Sequence, residues 1–251
     1  MFIALIVSIV LILWLLKLKK KDPFPKHTLL KQMLGGLISF ILAGLLSVVL
    51  MFCYALVRFT PTAFFAAIKE AMDGNMDALK GFDASNPSIF LAAFKSIVFI
   101  GLVEEVLKYI NMRIAAKKPG SINNRFDAVV LCALSGLGFQ IFEDISYVST
   151  GGMSVAILRA FLPLHFVFGA IMGFFYGRYL ENRKGSDLFK AFAIPTIMHG
   201  IFDLCVLNFD KFDFLVPFAL LSLVGGFVIS IVMIVEINKW SKNEALREPL
   251  P

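Results

Sequence analysis

The feature that most constrains this chain is a series of seven apolar stretches, each about as long as a helix that crosses a lipid bilayer. A transmembrane helix needs about 20 predominantly apolar residues, so seven of them and short connections account for most of the 251 residues. Hydrophobic residues make up 59% of the chain and charged residues 17%, which excludes disordered, collagen-like and coiled-coil proteins. The predicted spans are residues 2–16, 33–57, 89–116, 126–148, 155–180, 188–207 and 214–237.

The basic residues predict how these spans are oriented. Lysine and arginine are concentrated on the cytoplasmic side of membrane proteins. In this chain they are concentrated on alternate connections, namely after the first span, between the third and fourth, between the fifth and sixth, and in the tail. We therefore predict an all-α, polytopic transmembrane helix bundle of seven spans, with its N-terminus outside and its C-terminus cytoplasmic. The same distribution explains the net charge of +6, so the expected environment is the lipid bilayer and no nucleic-acid partner is expected.

We expect one integral membrane domain over residues 1–251, with four parts. Two N-terminal spans (1–57) precede an outer loop (58–88), a four-helix core (89–207), and a last span with a cytoplasmic tail (208–251). In the outer loop, residues 62–79 place apolar side chains at helical spacing opposite charged ones, which predicts an interfacial amphipathic helix. Its role is open between closing the connection and capturing a substrate. The residues that form this pattern are Phe64, Phe65, Ile68 and Met72, opposite Lys69, Glu70 and Asp73.

Ionisable side chains within the core spans are the candidates for function, because charges at bilayer depth are costly and need a partner or a purpose. At a rise of about 1.5 Å per residue, His165 lies roughly 15 Å inward of Val155, and His199 lies at a similar depth counted from Leu188. Glu104 lies roughly 13 Å from Arg113, near the inner boundary of its span. We therefore expect these three to meet near the middle of the membrane, with Glu143 and Asp203 nearer the outer face. The polar residues of the four core spans are Glu104, Glu105 and Lys108, then Glu143, Asp144 and Tyr147, then Arg159 and His165, then His199 and Asp203.

Three pairs of these residues are four positions apart and so share a helical face. Glu104 with Lys108 has two interpretations: a charge-neutralising pair that only stabilises the bundle, or part of a site in which one of two adjacent glutamates acts as a base. The first interpretation leaves Glu105 unexplained. Asp203 is placed to orient His199 and hold its tautomer. The third pair is Glu143 with Tyr147.

Taken in order, these motifs resemble those of PrsW-type intramembrane proteases. That family is distantly related to the type II CAAX prenyl proteases, which share the paired glutamates and two later membrane histidines. The resemblance covers the third to sixth spans, residues 89–207, with one departure: Asp144 stands where family members often have asparagine. The motifs are Glu104-Glu105-x-x-Lys108, Gly138-Phe139-x-x-x-Glu143-Asp144-x-x-Tyr147, Arg159 followed by Pro163-x-His165, and His199-x-x-x-Asp203.

The resemblance implies hydrolysis of a peptide bond in or near the membrane, in a membrane-anchored protein such as an anti-sigma factor. It makes Glu104 and Glu105 the catalytic pair and residues 89–207 the catalytic core. The residues themselves agree with this chemistry, since one glutamate can take a proton from water while a histidine donates to the developing oxyanion. The further site residues are His165, His199 and Glu143 as catalytic groups, with Lys108, Asp203, Tyr147 and Arg159 in support.

Several alternatives stay open at this point. His165, His199 and Glu104 would also satisfy a catalytic zinc site, but the sequence has no HExxH motif, and we favour a metal-free glutamate mechanism with zinc as the alternative. Other classes are a proton-coupled transporter, a CAAX-type prenyl-protein protease and a non-catalytic scaffold. No pair of short, broken apolar segments supports a transporter. Short loops and the absence of targeting signals favour a multi-pass protein of a bacterial-type plasma membrane.

Overall fold

The computed structural model describes residues 2–58, 61–75, 88–117 and 120–250, and every regular element in these residues is helical. A π-helical stretch, Lys95–Leu102, joins α4 to α5 without a break, and short 3-10 turns lie at Asp213–Leu215 and Glu244–Leu246. The predicted all-α membrane bundle is confirmed. The helices are α1 (Phe2–Leu18), α2 (Lys26–Arg58), α3 (Pro61–Met72), α4 (Ile89–Phe94), α5 (Val103–Ala115), α6 (Arg125–Phe161), α7 (Leu164–Asn182), α8 (Gly185–Leu207) and α9 (Val216–Trp240).

The lengths and surfaces of the helices are those of a membrane protein. Within the described residues, five helical segments are long and apolar enough to cross a membrane, and α1 contributes a shorter apolar stretch, Ile3–Leu18. Large aliphatic side chains on α1, α2 and α9 face outward, as lipid-facing side chains do. The count of seven spans and the orientation of the termini stay predictions. The five segments are Lys26–Leu56, Arg125–Ser149, Gly151–Asn182, Gly185–Leu207 and Asp213–Trp240.

The first half of α6 is the centre of the bundle, and α7 packs directly against it. Nearly every side chain from Phe126 to Gln140 is buried. Gly169 and Gly173 of α7 lie against the main chain of α6, where an added Cβ would overlap the carbonyl groups of Cys132 and Ala128. Glycines one turn apart thus let the two backbones touch, as small residues do between membrane helices. This contact fixes the start of α7 close to α6.

The predicted fifth span, residues 155–180, is not one continuous helix. The backbone of α6 turns at Gly152, whose φ of 68° favours glycine, and α6 ends at Phe161. Leu162 and Pro163 are non-helical, and α7 begins at Leu164. The cause is Pro163, which lacks an N–H donor and disfavours helical geometry at the residue before it. His165 therefore lies in the first turn of a new helix rather than in the middle of a long one.

The basic connections gather at one end of the bundle. Lys19, after α1, bonds to Asp127 at the start of α6 at 2.5 Å. The tail returns to the same end, where Leu250 N–H donates to the Asn123 carbonyl at 2.8 Å and Arg247 donates to the Leu18 carbonyl at 3.3 Å.

The connection between α2 and α4, which the sequence predicts to be an outer loop, contains the helix α3 from Pro61 to Met72. Phe65 and Met72 are exposed on it, as are Lys69 and Glu70. Residues 76–79 of the predicted helix lie outside the described residues.

Candidate active site

Four helices bring six ionisable side chains into one buried group, here called the glutamate–histidine cluster. The predicted meeting of Glu104, His165 and His199 is realised, because each offers a ligand atom and these atoms lie within 4.8 Å of one another. Glu143 joins the same group through His165. The members are Glu104, Glu105 and Lys108 on α5, Glu143 on α6, His165 on α7 and His199 on α8.

The π-helical stretch before α5 helps to set the position of the two glutamates. A π-helical turn is wider than an α-helical turn and is found mostly at functional sites. Here it ends at Leu102, directly before Val103 and the glutamates. A Cβ added to Gly200 of α8 would overlap the main chain of Ile97. The close approach of the two helices places His199 beside Glu105.

Lys108 is the centre of the cluster. Its Nζ lies 2.8 Å from Glu105 Oε1 and 2.7 Å from His165 Nδ1, but 3.5 Å from Glu104 Oε2. The ammonium also lies over the Phe139 ring, 4.5 Å from its centroid. The closest ion pair is therefore Glu105–Lys108 rather than the predicted Glu104–Lys108. This explains the doubled glutamate: Glu105 neutralises the lysine, and Glu104 is left less engaged.

Two residues that sequence reasoning missed hold the backbone of Lys108. Ser135 Oγ donates to the Lys108 carbonyl at 2.8 Å. Asn111 Nδ2 donates to Ser135 Oγ at 3.1 Å and to the Gln32 carbonyl, also at 3.1 Å. A signal for this network was present in the sequence, since Asn111 lies one turn after Lys108 within the predicted third span.

His199 is held by Glu105 on one side and faces two carboxylates on the other. Its Nδ1 lies 3.0 Å from Glu105 Oε1, while Nε2 lies 3.4 Å from Asp203 Oδ2 and 3.8 Å from Glu104 Oε2. The Phe168 ring stacks on the imidazole at 5.1 Å between centroids. Because a carboxylate only accepts, Nδ1 donates to Glu105, and Nε2 is the nitrogen that faces Glu104.

His165 bridges the two halves of the cluster. The Lys108 ammonium has only donors, so His165 Nδ1 accepts from it and carries no proton. The ring proton is then on Nε2, which donates to Glu143 Oε2 at 2.5 Å. Arg159 donates to the same Glu143 oxygen at 2.5 Å and to Asp144 through its Nε. Asp144, absent from the predicted site, thus anchors the guanidinium that pairs with Glu143.

A cavity of about 220 Å³ lies beside the cluster, between the second half of α6, the start of α7, α8 and α9. Three members of the cluster and three further polar side chains form its polar wall, and aliphatic and aromatic side chains line the rest. A volume of this size admits several water molecules or a side chain. The polar wall is formed by Glu143, Tyr147, Arg159, His165, His199 and Asp203, so the predicted supporting residues Tyr147, Arg159 and Asp203 all reach it.

The donor set fits a divalent metal. Two imidazoles and a carboxylate are the protein ligands of many catalytic zinc sites. Glu104 Oε2 is buried and, within the described residues, has no hydrogen-bond partner, as a carboxylate oxygen reserved for a ligand would. His165 has both ring nitrogens within hydrogen-bonding distance of partners, so it can bind a metal only by giving up one of these contacts.

Comparison with known proteins identifies the family. A family model described as "PrsW family intramembrane metalloprotease" matches residues 23–235 of the chain. The chain belongs to the PrsW family. The matched range contains every member of the glutamate–histidine cluster. It also extends beyond residues 89–207, over which the sequence motifs resemble the family, and so confirms the resemblance to the PrsW family.

Individual relatives support the same assignment. Protease PrsW of Oceanobacillus iheyensis is 34% identical over 139 residues, which is 53% of this chain and 63% of that protein. Protease PrsW of Halalkalibacterium halodurans is 31% identical over 50% of this chain and 61% of its own length, and that of Bacillus subtilis is 30% identical over 44% and 53%. The chain thus spans about three fifths or less of these relatives. No solved structure matches.

Proposed function

We propose that this PrsW family member is an intramembrane protease that hydrolyses a peptide bond of a membrane-anchored protein. The observation that carries the proposal is Glu104, a buried carboxylate whose Oε2 has no hydrogen-bond partner within the described residues and lies 3.5 Å from Lys108 Nζ and 3.8 Å from His199 Nε2. Its cluster borders a cavity inside the bundle. The substrate class implied by the sequence resemblance is a regulatory protein such as an anti-sigma factor.

The roles of the residues follow from their contacts. Glu104 Oε2 takes a proton from water, and the water oxygen forms a bond to the scissile carbonyl carbon. His199, oriented by Glu105 through Nδ1, donates from a protonated Nε2 to the oxyanion that develops. The proton held by Glu104 then passes to the leaving amide nitrogen as its bond to carbon breaks. Glu105 and Lys108 are positioning residues, since they hold His199 and His165 at fixed places.

A metal is compatible with the same residues. Glu104, His165 and His199 would hold a divalent ion such as zinc, which supplies Lewis-acid activation of water and of the scissile carbonyl. In this arrangement Glu104 is a ligand, and the chain's own proton acceptor is another carboxylate of the cavity wall, Glu143 or Asp203. The positioning role of Glu105 is the same in both arrangements, and that of Lys108 is kept if His165 binds the ion through Nε2 and gives up Glu143.

Cleavage by the purified full-length chain tests the proposal. A membrane-anchored reporter in detergent is incubated with wild type, with the Glu104→Gln, Glu105→Gln double variant, and with Glu236→Gln as a matched carboxamide control at a partly exposed position. We expect cleavage by wild type and the control and none by the double variant. A folded double variant that cleaves at the normal rate would remove the glutamates from the mechanism. A prenylated peptide is offered to wild type as a second substrate. Cleavage of that peptide alone would favour the CAAX-type alternative, and no cleavage of either substrate would favour a transporter or scaffold.

Metal analysis separates the two arrangements. If Glu104, His165 and His199 hold zinc, the purified chain should contain about one zinc per molecule, and removing it with a chelator should stop cleavage. The His199→Gln variant should then lose the metal, whereas Asp127→Asn, far from the cluster in a separate ion pair, should keep it. Full activity in chelated, metal-free protein would instead support the metal-free glutamate mechanism.

The arrangement in the membrane completes the proposal. We infer seven spans in a bacterial-type plasma membrane, with residues 89–207 as the catalytic core, the N-terminus outside and the tail inside. Reporter fusions after Lys31, Lys184 and Lys242 should be cytoplasmic, and a fusion near Asp83 should be external. An internal signal at Asp83 would overturn the seven-span topology.

A further inference from the structure

A second cavity, here called the basic cavity, lies at the basic end of the bundle, between the ends of α5 and α7 and the C-terminal tail. Its volume of about 430 Å³ falls within the roughly 300–1,000 Å³ of small-molecule sites. Three cationic side chains, Arg113, Lys117 and Arg183, line it, and no acidic side chain does so among the described residues. The basic cavity is separate from the glutamate–histidine cluster, with which it shares no lining residue.

The charges at this end of the bundle are not balanced inside the basic cavity. Glu181 of α7 lies 3.1 Å from Arg125, and Asp187 accepts from Asn182 at 2.8 Å, so these two carboxylates already have partners. Within the described part of the chain, Lys117 and Arg183 have no ion-pair partner. A concave surface that carries one sign of charge concentrates ions of the other sign. The basic cavity is therefore expected to attract an anion.

The backbone of Arg183 is a second sign of a use for this cavity. Among the described residues, Arg183 is the only one other than glycine with a positive φ, at 56°. Its N–H donates to the Tyr179 carbonyl at 2.8 Å and closes the end of α7. Glycine is the usual residue at such a position, because a side chain there is strained. An arginine that accepts this strain favours a ligand-binding role for the guanidinium.

Arg113 is held in place on the opposite side of the basic cavity. Its Nη1 donates to the hydroxyl of Tyr176, and the Tyr176 ring is almost fully buried and packs edge-on against the Tyr109 ring, with centroids 5.4 Å apart. A guanidinium has five N–H donors in one plane, so the bond to Tyr176 leaves donors for a ligand. Because the side chain is already oriented, little conformational entropy is lost when an anion binds.

We propose that the basic cavity binds a phosphate group, carried either by the headgroup of an anionic lipid or by a free phosphate compound. Arginine matches phosphate oxygens with paired N–H donors, and lysine adds a point charge. Ile122, Leu180 and Leu250 line the same cavity and would contact the carbon atoms next to the phosphate, so a lipid phosphodiester fits the lining better than a bare ion. This inference does not rest on the proposed protease function.

Thermal unfolding of the purified full-length chain in a neutral detergent tests the site, because a ligand that binds only the folded state raises the unfolding temperature. The probes are a short-chain phosphatidylglycerol, the zwitterionic phosphatidylcholine of equal chain length, and inorganic phosphate, all at constant ionic strength. The cavity variant is Lys117→Gln with Arg183→Gly. The control is Lys20→Gln with Lys184→Gln, which removes two charges from exposed positions at the same end but outside the cavity.

Phosphatidylglycerol should raise the unfolding temperature of wild type and of the control to a saturating value, and phosphatidylcholine should not. In the cavity variant the apparent Kd should be at least about tenfold higher, because two charge-assisted contacts are lost. A response to phosphatidylglycerol alone identifies the lipid as the source of the phosphate, and an equal response to inorganic phosphate identifies a free compound. Without ligand the cavity variant should unfold no earlier than wild type, since glycine relaxes the backbone at position 183.

The site is overturned if neither phosphate probe raises the unfolding temperature of wild type, or if the cavity variant and the control respond alike. The cations would then serve only as charges favoured at the ends of α5 and α7, or as part of a general attraction for anions. If the double cavity variant does not fold, Lys117→Gln is compared with Lys184→Gln, and its apparent Kd should be at least about threefold higher, because one charged contact is lost. Equal Kd values for these two variants overturn the site as well.

Discussion

Two buried ionic groups stand in the same bundle, and they differ in how completely their charges are satisfied. At the basic end, Lys19 lies 2.5 Å from Asp127 and 2.6 Å from Asp22, and the second Asp127 oxygen accepts from Asn123 N–H at 2.9 Å. In the glutamate–histidine cluster, one oxygen each of Glu104 and Glu105 has no hydrogen-bond partner within the described residues. The second group also borders a cavity.

This difference separates structural charge from functional charge. A buried ion pair survives only when its partners and hydrogen bonds offset the loss of water, and the Lys19–Asp127 pair meets that condition while linking α1 to α6. A buried carboxylate oxygen without a hydrogen bond costs stability, and we propose that Glu104 keeps its free oxygen for a proton, a metal or a substrate. Removing a charge from the Lys19–Asp127 pair should therefore lower stability and leave cleavage unchanged. Removing a charge from the glutamate–histidine cluster should lower the cleavage rate and leave the fold in place.

The largest effect is expected at the histidine that faces Glu104. His199→Gln keeps a side chain of similar length but removes the group that donates to the oxyanion or binds a metal, so cleavage should fall by about 10²–10⁴-fold. Initial rates on the membrane-anchored reporter give the loss, and thermal unfolding of the same sample shows whether the fold is kept. A variant that cleaves within the error of wild type would place His199 among the structural residues.

The next largest effect should be on folding alone. Asp127→Asn leaves the Lys19 ammonium buried with only Asp22 as a charged partner, and breaking a buried pair in this way costs about 3–5 kcal/mol of unfolding free energy. Denaturant unfolding in detergent measures the loss. The cleavage rate per folded molecule should stay at the wild-type value. A lower rate per folded molecule in Asp127→Asn would show that the Lys19–Asp127 pair contributes to the active site.

A smaller effect on both properties is expected where α6 supports His165. A Cβ at Gly136 would overlap the main-chain oxygen of His165, so Gly136→Ala should push α7 away at a cost of about 1–3 kcal/mol in unfolding free energy. Cleavage should fall as well, since His165 would leave its place between Lys108 and Glu143. Gly44→Ala is the control, because nothing lies within 4 Å of its added Cβ. Equal behaviour of the two variants would contradict the packing account.

The smallest effect is expected at an exposed ion pair. Lys239 and Glu236 lie 2.7 Å apart with both side chains partly or largely exposed, and such pairs contribute about 0–1 kcal/mol. Glu236→Gln should leave unfolding and cleavage near wild type. A large loss of stability here would contradict the proposal that burial determines how much each of the three ionic groups contributes to stability.

Much of this architecture was readable from the sequence, because apolar length and ionisable residues inside spans are strong signals. The similar depths of Glu104, His165 and His199 predicted their meeting, which the structure shows. Glu143 also proved to bond directly to His165, a contact that depends on the lateral packing of α6 and α7 and not on depth.

What the sequence did not show depends on backbone geometry and on which partner is nearest. The break at Leu162–Pro163 divides the predicted fifth span, although Pro163 itself was visible. The pairing of Lys108 with Glu105 rather than Glu104 is decided by a rotation within one helical turn, which i,i+4 spacing does not resolve. Asn111 and Ser135 were missed because single polar residues in membrane helices usually bond to a neighbouring helix without any catalytic role.

The most direct test places one change from each ionic group in the same assay. Glu104→Gln and Asp127→Asn both convert a buried carboxylate to a carboxamide of nearly equal size, so they differ only in which group they enter. Cleavage of the membrane-anchored reporter, normalised to the folded fraction, should fall about 10²–10⁴-fold in Glu104→Gln and stay at wild type in Asp127→Asn. A Glu104→Gln variant that folds and cleaves at the wild-type rate would contradict the account.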